Sequence, residues 1–583
     1  MMSITMNRIA FFTLVLIGFS AFAQTPKDTL NTEIIEVVKP YVPTIPDAFK
    51  IKENPVLEEQ VVPKETVNYS INSAPVASTF IPEKGTAKGL KATGNEAFFN
   101  NYISFGFGNY TSPLLDAFVK VDQDAYSDFG VKLYHHSSQG GIKDVYLKDS
   151  YYDTKAGVFY NQNTSLNDMH LGVDIKHGYY NWYGISESIP VDDSYDVSHA
   201  YFGIKAGGTL EKMEANVFKG GNVSLGFFKD NFNSNEIRFT LQPKLEFPIS
   251  TENLELMADV DYLSGKYQED TNANVDESYG FVKFGLLPNF KFTKDNLNLN
   301  LGLKAYLLND QMLEETNFAA FPNVDVSYHI SPNNLTVYGG ATGGYTYNTY
   351  NENTEVNPFL STDFYSRPTK EKYRLYAGLK GKLESATFDI NGFFRDVENL
   401  PMYVIQPTRS LIVPQTLLDN YSYFTQFNMV YDSAKNMGIK AHFETPILDY
   451  LNLGANLEYN IYNMANELEA WNLPALQGNV YANLNYNEWQ ANAELLLRGE
   501  TYDTEYSPYI YYNFITAPNP EDLIVKNASF ADLNLSVSYN FNKQLSVFAR
   551  AHNIFSNNYE RFYNYPNQGI QFLGGITYKF DLH

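Results

Sequence analysis

His135 and His136 are adjacent imidazoles, and imidazole is the commonest metal-ligating side chain. On an extended strand, neighbouring side chains point to opposite faces, so the two cannot share one ion and read as polar residues near a strand end. Asp192-Asp193 with Asp196, and Glu269-Asp270 with Asp276-Glu277, are carboxylate groupings of the kind that hold calcium. Neither has the ligand order or the glycine of an EF-hand loop, so both read as solvated acidic loops. Tyr502, Tyr506, Tyr509, Tyr511, Tyr512 and Phe514 offer ring faces to a sugar or another protein, and equally suit an interfacial aromatic girdle. No glycine-rich phosphate loop opens a helix, and no nucleophile elbow is evident. With no cysteine in 583 residues there is no disulfide, thiolate zinc site, iron–sulfur cluster or lipid-bearing cysteine. The expectation is a non-enzyme with no catalytic residue, cofactor or metal ion.

Another group of polar residues repeats with period two. Lys304, Glu458, Glu494, Arg498, Asp532, Asn534, Arg550 and His552 each alternate with apolar neighbours, which marks them as candidates to line a lumen and tune its field. In 532–541 one face is Leu533, Leu535, Val537, Tyr539 and Phe541, and the other is Asp532, Asn534, Ser536, Ser538 and Asn540. Segments 296–305, 451–461, 480–486 and 489–497 repeat the pattern, which is that of strands with one apolar and one polar face.

Such alternation also fits a soluble sandwich. Three features favour a barrel in a membrane. The polar faces carry Asn, Asp, Lys and Glu over strands of about ten residues, as a water-filled lumen requires. Tyr (46) and Phe (42) far outnumber Trp (3) and collect near strand ends, where girdles sit. The strands also continue from Phe98 to the C-terminus with no helical insert, and in lipid so wide a sheet must close. The fold expected is all-β: a transmembrane antiparallel β-barrel of about 22 strands with a short Pro-rich N-terminal periplasmic leader. Short turns are expected at 294–296, 331–334 and 541–543. Longer polar loops are expected on the opposite, extracellular side at 186–196, 267–278, 346–370, 400–420 and 501–526.

Compartment and partners follow from the N-terminus and the charge. Arg8, the apolar stretch 9–19 and Ala21-Phe22-Ala23 form a signal peptide cleaved after Ala23, so residues 1–23 are removed on export. The balance of 42 Lys+Arg against 66 Asp+Glu, net −24, argues against nucleic acid. Residues 24–95 are expected to be a largely unstructured periplasmic leader, with Pro26, Pro40, Pro43, Pro46, Pro55, Pro63, Pro75 and Pro82 opposing helix and central strand. Within it Ile34, Val37, Val38, Tyr41, Ile45 and Phe49 form an apolar run that is the candidate docking motif for another chain. Residues 96–583 are expected to be the barrel, in the outer membrane of a Gram-negative bacterium. The partners expected are outer-membrane lipid and other envelope proteins.

Ala551-His552-Asn553-Ile554-Phe555 with Tyr559, then Tyr565-Pro566, Gly569 and Gly575-Ile576-Thr577-Tyr578-Lys579-Phe580, resemble the final strands of the barrel domain of TonB-dependent receptors. Upstream stand Asn357-Pro358-Phe359-Leu360, Arg367-Pro368-Thr369-Lys370 and Tyr376-Ala377-Gly378-Leu379-Lys380-Gly381. Phe393-Phe394-Arg395-Asp396-Val397-Glu398-Asn399-Leu400, on a strand expected over 386–403, resembles the family's aromatic-rich strand. The resemblance implies a ligand-transporting barrel preceded by a plug of well over a hundred residues, yet only about 74 residues separate Gln24 from Phe98. Glu36-Val37-Val38 is too short a match to carry TonB pairing over. A wide lumen without a plug must be occluded by the leader, by inward-folded loops or by another protein. The function expected is therefore a plugless receptor-like barrel acting as a structural or accessory subunit of an envelope complex. The alternative is a nutrient channel or receptor gated by its leader or loops. An outer-membrane hydrolase, motivated only by unplaced His and Ser residues, ranks last.

Overall fold

In the computed structural model the chain is described over residues 99–184, 196–214, 217–249, 252–268, 276–331, 334–362, 364–405, 426–504 and 523–582. The expected signal peptide and leader, with the docking candidates Ile34, Val37, Val38, Tyr41, Ile45 and Phe49, lie outside these residues. Ala97–His583 forms one compact unit. Its described residues include a single 22-stranded sheet in which every strand pairs antiparallel with its neighbours. The first strand, Asn101–Gly108, pairs with Ser112–Asp122 on one side and with the last, Gln571–Phe580, on the other. The ring is therefore closed and has no free edge, the condition that backbone polar groups in lipid impose.

Register carries side-chain parity around the whole ring. Ile103, Phe105 and Phe107, each about half exposed (44%, 53% and 55%), share a face with Tyr578, Ile576 and Gly574 across the closing seam. Outward residues in other strands are likewise apolar: Leu225, Leu286, Leu301, Ile390 and Ile439. A continuous apolar belt on that scale far exceeds any patch a water-facing surface tolerates, and it suits hydrocarbon.

The two rims differ. At one, connections run from two residues, as at 384–385, to five, at 213–217. Asp295, Glu384 and Asn487 take positive φ there, a conformation polar turn residues tolerate. At the other rim, connections reach 31 residues, at 499–529.

Several expected boundaries shift. The strand expected over 386–403 is Ala386–Ile405, so the loop placed at 400–420 begins later. The loop placed at 501–526 opens and closes on a strand pair, Thr501–Thr504 with Ile524–Asn527, separate from the barrel sheet. The loop at 346–370 contains a helix, Tyr350–Val356, contrary to the expectation of none. Its cause is local: the Thr349 side chain accepts from the Glu352 amide at 3.1 Å, the N-capping contact that a Thr-x-x-Glu sequence allows. The loops at 186–196 and 267–278 fall largely outside the described residues.

Candidate functional site

The loop rim is filled from within. Loop 347–368 leaves the wall after Leu335–Thr346 and packs its helix against strands well round the ring. The Glu236 carboxylate accepts from the amides of Tyr350 (2.7 Å) and Asn351 (3.4 Å), where the helix dipole favours negative charge, and also from Tyr279 Oη (2.8 Å). Tyr350 Oη donates to Asp230 Oδ2 at 2.9 Å and lies 3.3 Å from His199 Nε2. Glu352 pairs with Arg238 at 3.2 Å and Glu355 with Lys176 at 2.8 Å. Asn353 accepts from Tyr403 Oη at 2.6 Å, which ties the helix to the strand Ala386–Ile405 as well.

Around this helix lies a buried aromatic cluster that includes Trp182, Tyr183, Phe228, Tyr279, Phe281, Tyr347, Phe364, Phe427 and Tyr565. Many aromatics expected in an outer girdle thus point inward, because the loops fold back into the mouth and need a core of their own. Tyr328, Tyr459, Tyr486, Trp489 and Tyr578 do face outward. Two of the sequence stretches quoted above meet here: Phe359 stacks on Tyr565 with centroids 3.6 Å apart, though 206 positions separate them. Leu360 is fully buried and bridges Phe427, whose carbonyl accepts from the Ser361 amide at 2.8 Å. Burial of the phenol pushes the Tyr183 and Tyr347 hydroxyls well above the usual range.

A carboxylate ties further loops together. Asp503 is fully buried and accepts from the Ile405 amide (3.0 Å), the Thr504 amide (2.8 Å) and Asn472 Nδ2 (2.7 Å). Burial pushes its pKa up to about 6 in spite of those three donors.

The candidate lumen residues all fall, by register, on the face opposite the apolar belt. Lys304 Nζ donates to Thr342 Oγ1 and the Gly343 carbonyl, both at 3.1 Å. Glu458 accepts from Lys440 (3.1 Å) and Asn460 (3.1 Å), and Glu494 accepts from Asn479. Arg498 donates to the Asn472 carbonyl at 3.1 Å. Glu458 and Arg498 share an inner cavity of about 820 Å³. Asp532, Asn534, Arg550 and His552 share another of about 450 Å³, and Lys304 and Glu494 line neither. His135 bonds Thr154 on the outer face at 2.8 Å, while His136 lies on the inner face against Tyr151. Among the described residues no group of three or more ligating side chains is placed to hold a metal ion. Tyr506, Tyr509, Tyr511, Tyr512 and Phe514 lie outside the described residues. Sequence reasoning missed Asp230, Glu236, Arg238 and Asp503. The Thr349-x-x-Glu352 spacing is the signal that could have found the helix that Asp230, Glu236 and Arg238 help to hold.

No family model matches this chain, and no curated protein does. Solved structures do. The pyoverdine outer-membrane receptor FpvA of Pseudomonas aeruginosa PAO1, bound to pyoverdine, aligns over 83% of this chain and 78% of its own, with TM-score 0.58 and 13% identity. The fold is that of the TonB-dependent receptor barrels. The siderophore receptor PirA of Acinetobacter baumannii covers 82% of this chain and 80% of its own (TM-score 0.58, 9% identity). The copper transporter OprC gives 82%, 80%, 0.55 and 12%. At such identities the likeness establishes the fold of a receptor-type β-barrel and extends neither to a location nor to a ligand.

Proposed function

We propose that this receptor-type barrel is exported by a signal peptide cleaved after Ala23, sits in the outer membrane of a Gram-negative bacterium, and acts as a structural or accessory subunit of an envelope complex. The observation that carries the reading is loop 347–368. Its helix is anchored to strands on several sides of the mouth by Glu236, Asp230, Arg238, Lys176 and Tyr403, over a buried aromatic core. A mouth packed in this way suits a barrel used as a wall or scaffold better than one used as an open pore. On this reading residues 24–95, with their eight prolines, form a periplasmic leader, and Ile34, Val37, Val38, Tyr41, Ile45 and Phe49 dock another envelope protein. TonB pairing has no support beyond Glu36-Val37-Val38.

The test is extraction in mild detergent. Stoichiometric co-purification of other envelope proteins, lost when the six docking residues are changed to Ser, is the expected result. Recovery of a lone, monodisperse barrel overturns the reading. A second reading, a ligand receptor, draws on the 820 Å³ cavity and on the neighbours, which include a pyoverdine receptor and a copper transporter. Replacing 350–356 by a Gly-Ser linker and repeating the extraction discriminates between them. Either barrel gains conductance in planar bilayers once this loop no longer packs the mouth, but a scaffold keeps its envelope partners in mild detergent and a receptor has none to keep.

A further inference from the structure

Most cations on the inner wall have an acidic partner: Lys132 with Asp174, Lys155 with Asp153, Arg238 with Asp261, and Lys283 with both Asp259 and Asp261. This is the arrangement expected in a chain of net charge −24. The cavity of about 820 Å³ departs from it. Arg498 and Arg561 both line it, and no carboxylate among the described residues pairs with either. Among the described residues Arg498 donates to a neutral carbonyl, that of Asn472, and Arg561 lies over the Phe562 ring at 5.6 Å.

The fold explains why these two groups meet. Arg498 pairs in register with Phe530, Phe530 stacks on Tyr559 at 3.8 Å, and Tyr559 is fixed by its hydroxyl to Asp532 at 2.6 Å. Arg561 follows two residues later on the same loop. The acidic groups that also line the cavity are engaged: Glu458 by Lys440 and Asn460, and Asp389 by Tyr338. The lining therefore holds three cations against two satisfied carboxylates, inside a strongly acidic protein. Two guanidinium groups facing one space repel each other unless an anion lies between them, and their forked donors match carboxylate and phosphate oxygens.

The rest of the lining narrows the chemistry. Asn391 on Ala386–Ile405, Asn456 on Leu451–Met464 and Gln477 and Asn479 on Leu476–Tyr486 present amides from three strands, Asn456 donating to Asn479 at 2.9 Å, a polar row that suits hydroxyl groups. The stacked Phe530–Tyr559 pair supplies a ring edge beside them. The volume lies within the range of small-ligand pockets, roughly 300–1,000 Å³.

We infer that this cavity is a binding site for an acidic oligosaccharide, with Arg498 and Arg561 clasping its carboxylate or phosphate and the amide row reading its hydroxyls. The inference deepens the receptor reading, which draws on the same cavity, while co-purification of envelope partners tests the scaffold reading separately.

The test is calorimetry on the full chain in detergent, with tri-galacturonate, maltotriose and inorganic phosphate as probes. Saturable binding of tri-galacturonate, weakened by added salt and at least about tenfold by Arg498→Gln or Arg561→Gln, is expected. Binding should be lost in the double variant. Heat-dependent gel mobility verifies that each variant is a closed barrel. Phosphate should compete weakly and maltotriose should bind far less. The inference falls if tri-galacturonate does not bind the intact protein, if maltotriose binds as well, or if the folded double variant keeps its affinity.

Discussion

Asp503 illustrates how a single buried group makes loop packing depend on pH. Its folded pKa of about 6 stands above the unfolded value of 3.8, so the folded loops bind its proton more tightly than the opened ones. Its contribution is complete below pH 4, where both states are protonated, and is lost as pH rises through about 6, a change on the order of 3 kcal/mol. Amide exchange at Ile405 and Thr504, compared between wild type and Asp503→Asn at each pH, should show the wild-type tie loosening from pH 5 to pH 8 and the variant staying level. A residue's facing matters as much as its chemistry. Leu301 and Asn300 are neighbours on one strand, the first on the outer belt and the second bonded to Asp325 inside. Leu301→Lys should destabilise the barrel by about 2–4 kcal/mol in lipid if the residue sits near mid-depth. Asn300→Lys should fall well short of that, as chemical unfolding in vesicles would measure.

At the scale of elements, the strands and the mouth were unequally legible. The alternation of Leu297, Leu299, Leu301 and Leu303 with Asn298, Asn300, Gly302 and Lys304 reflects the pleat itself, so it survives without knowledge of any partner strand. Strand ends were less legible. Ala386–Ile405 outruns its pattern because Ile405 is buried in the aromatic cluster of the mouth and not displayed to lipid. The packed loops were least legible, since a polar stretch such as 346–370 becomes a core only when Asp230, Glu236 and His199, over a hundred positions away, arrive beside Tyr350. The helix contributes little on its own, being only seven residues long, and depends on those contacts. Tyr350→Phe removes the hydroxyl that serves Asp230 and His199 and should cost about 1–2 kcal/mol of local stability. The readout is faster amide exchange across 350–360 with the 22 strands unchanged. Normal protection there would mean that Glu236 and the two helix ion pairs suffice.

For the whole molecule, closure is the decisive property, and its seam is narrow. Gly106 faces Gly575 across it, and the Phe548 ring packs against both. A side chain at 575 would collide with that ring and with the Phe105 carbonyl, which is backbone and cannot move aside. Gly575→Val should therefore leave a large fraction of chains unable to shut, seen as loss of the heat-modifiable form on gels, whereas Thr577→Val, beside it, should lose only the bond to Ser104. The seam joins residues more than 470 positions apart in sequence. The opening strand consequently waits, unpaired on one flank, until the ten residues of the last strand have been translated and delivered. Any shortened product of the gene would present a raw sheet margin at which quality-control proteases or assembly factors can tell unfinished chains from finished ones.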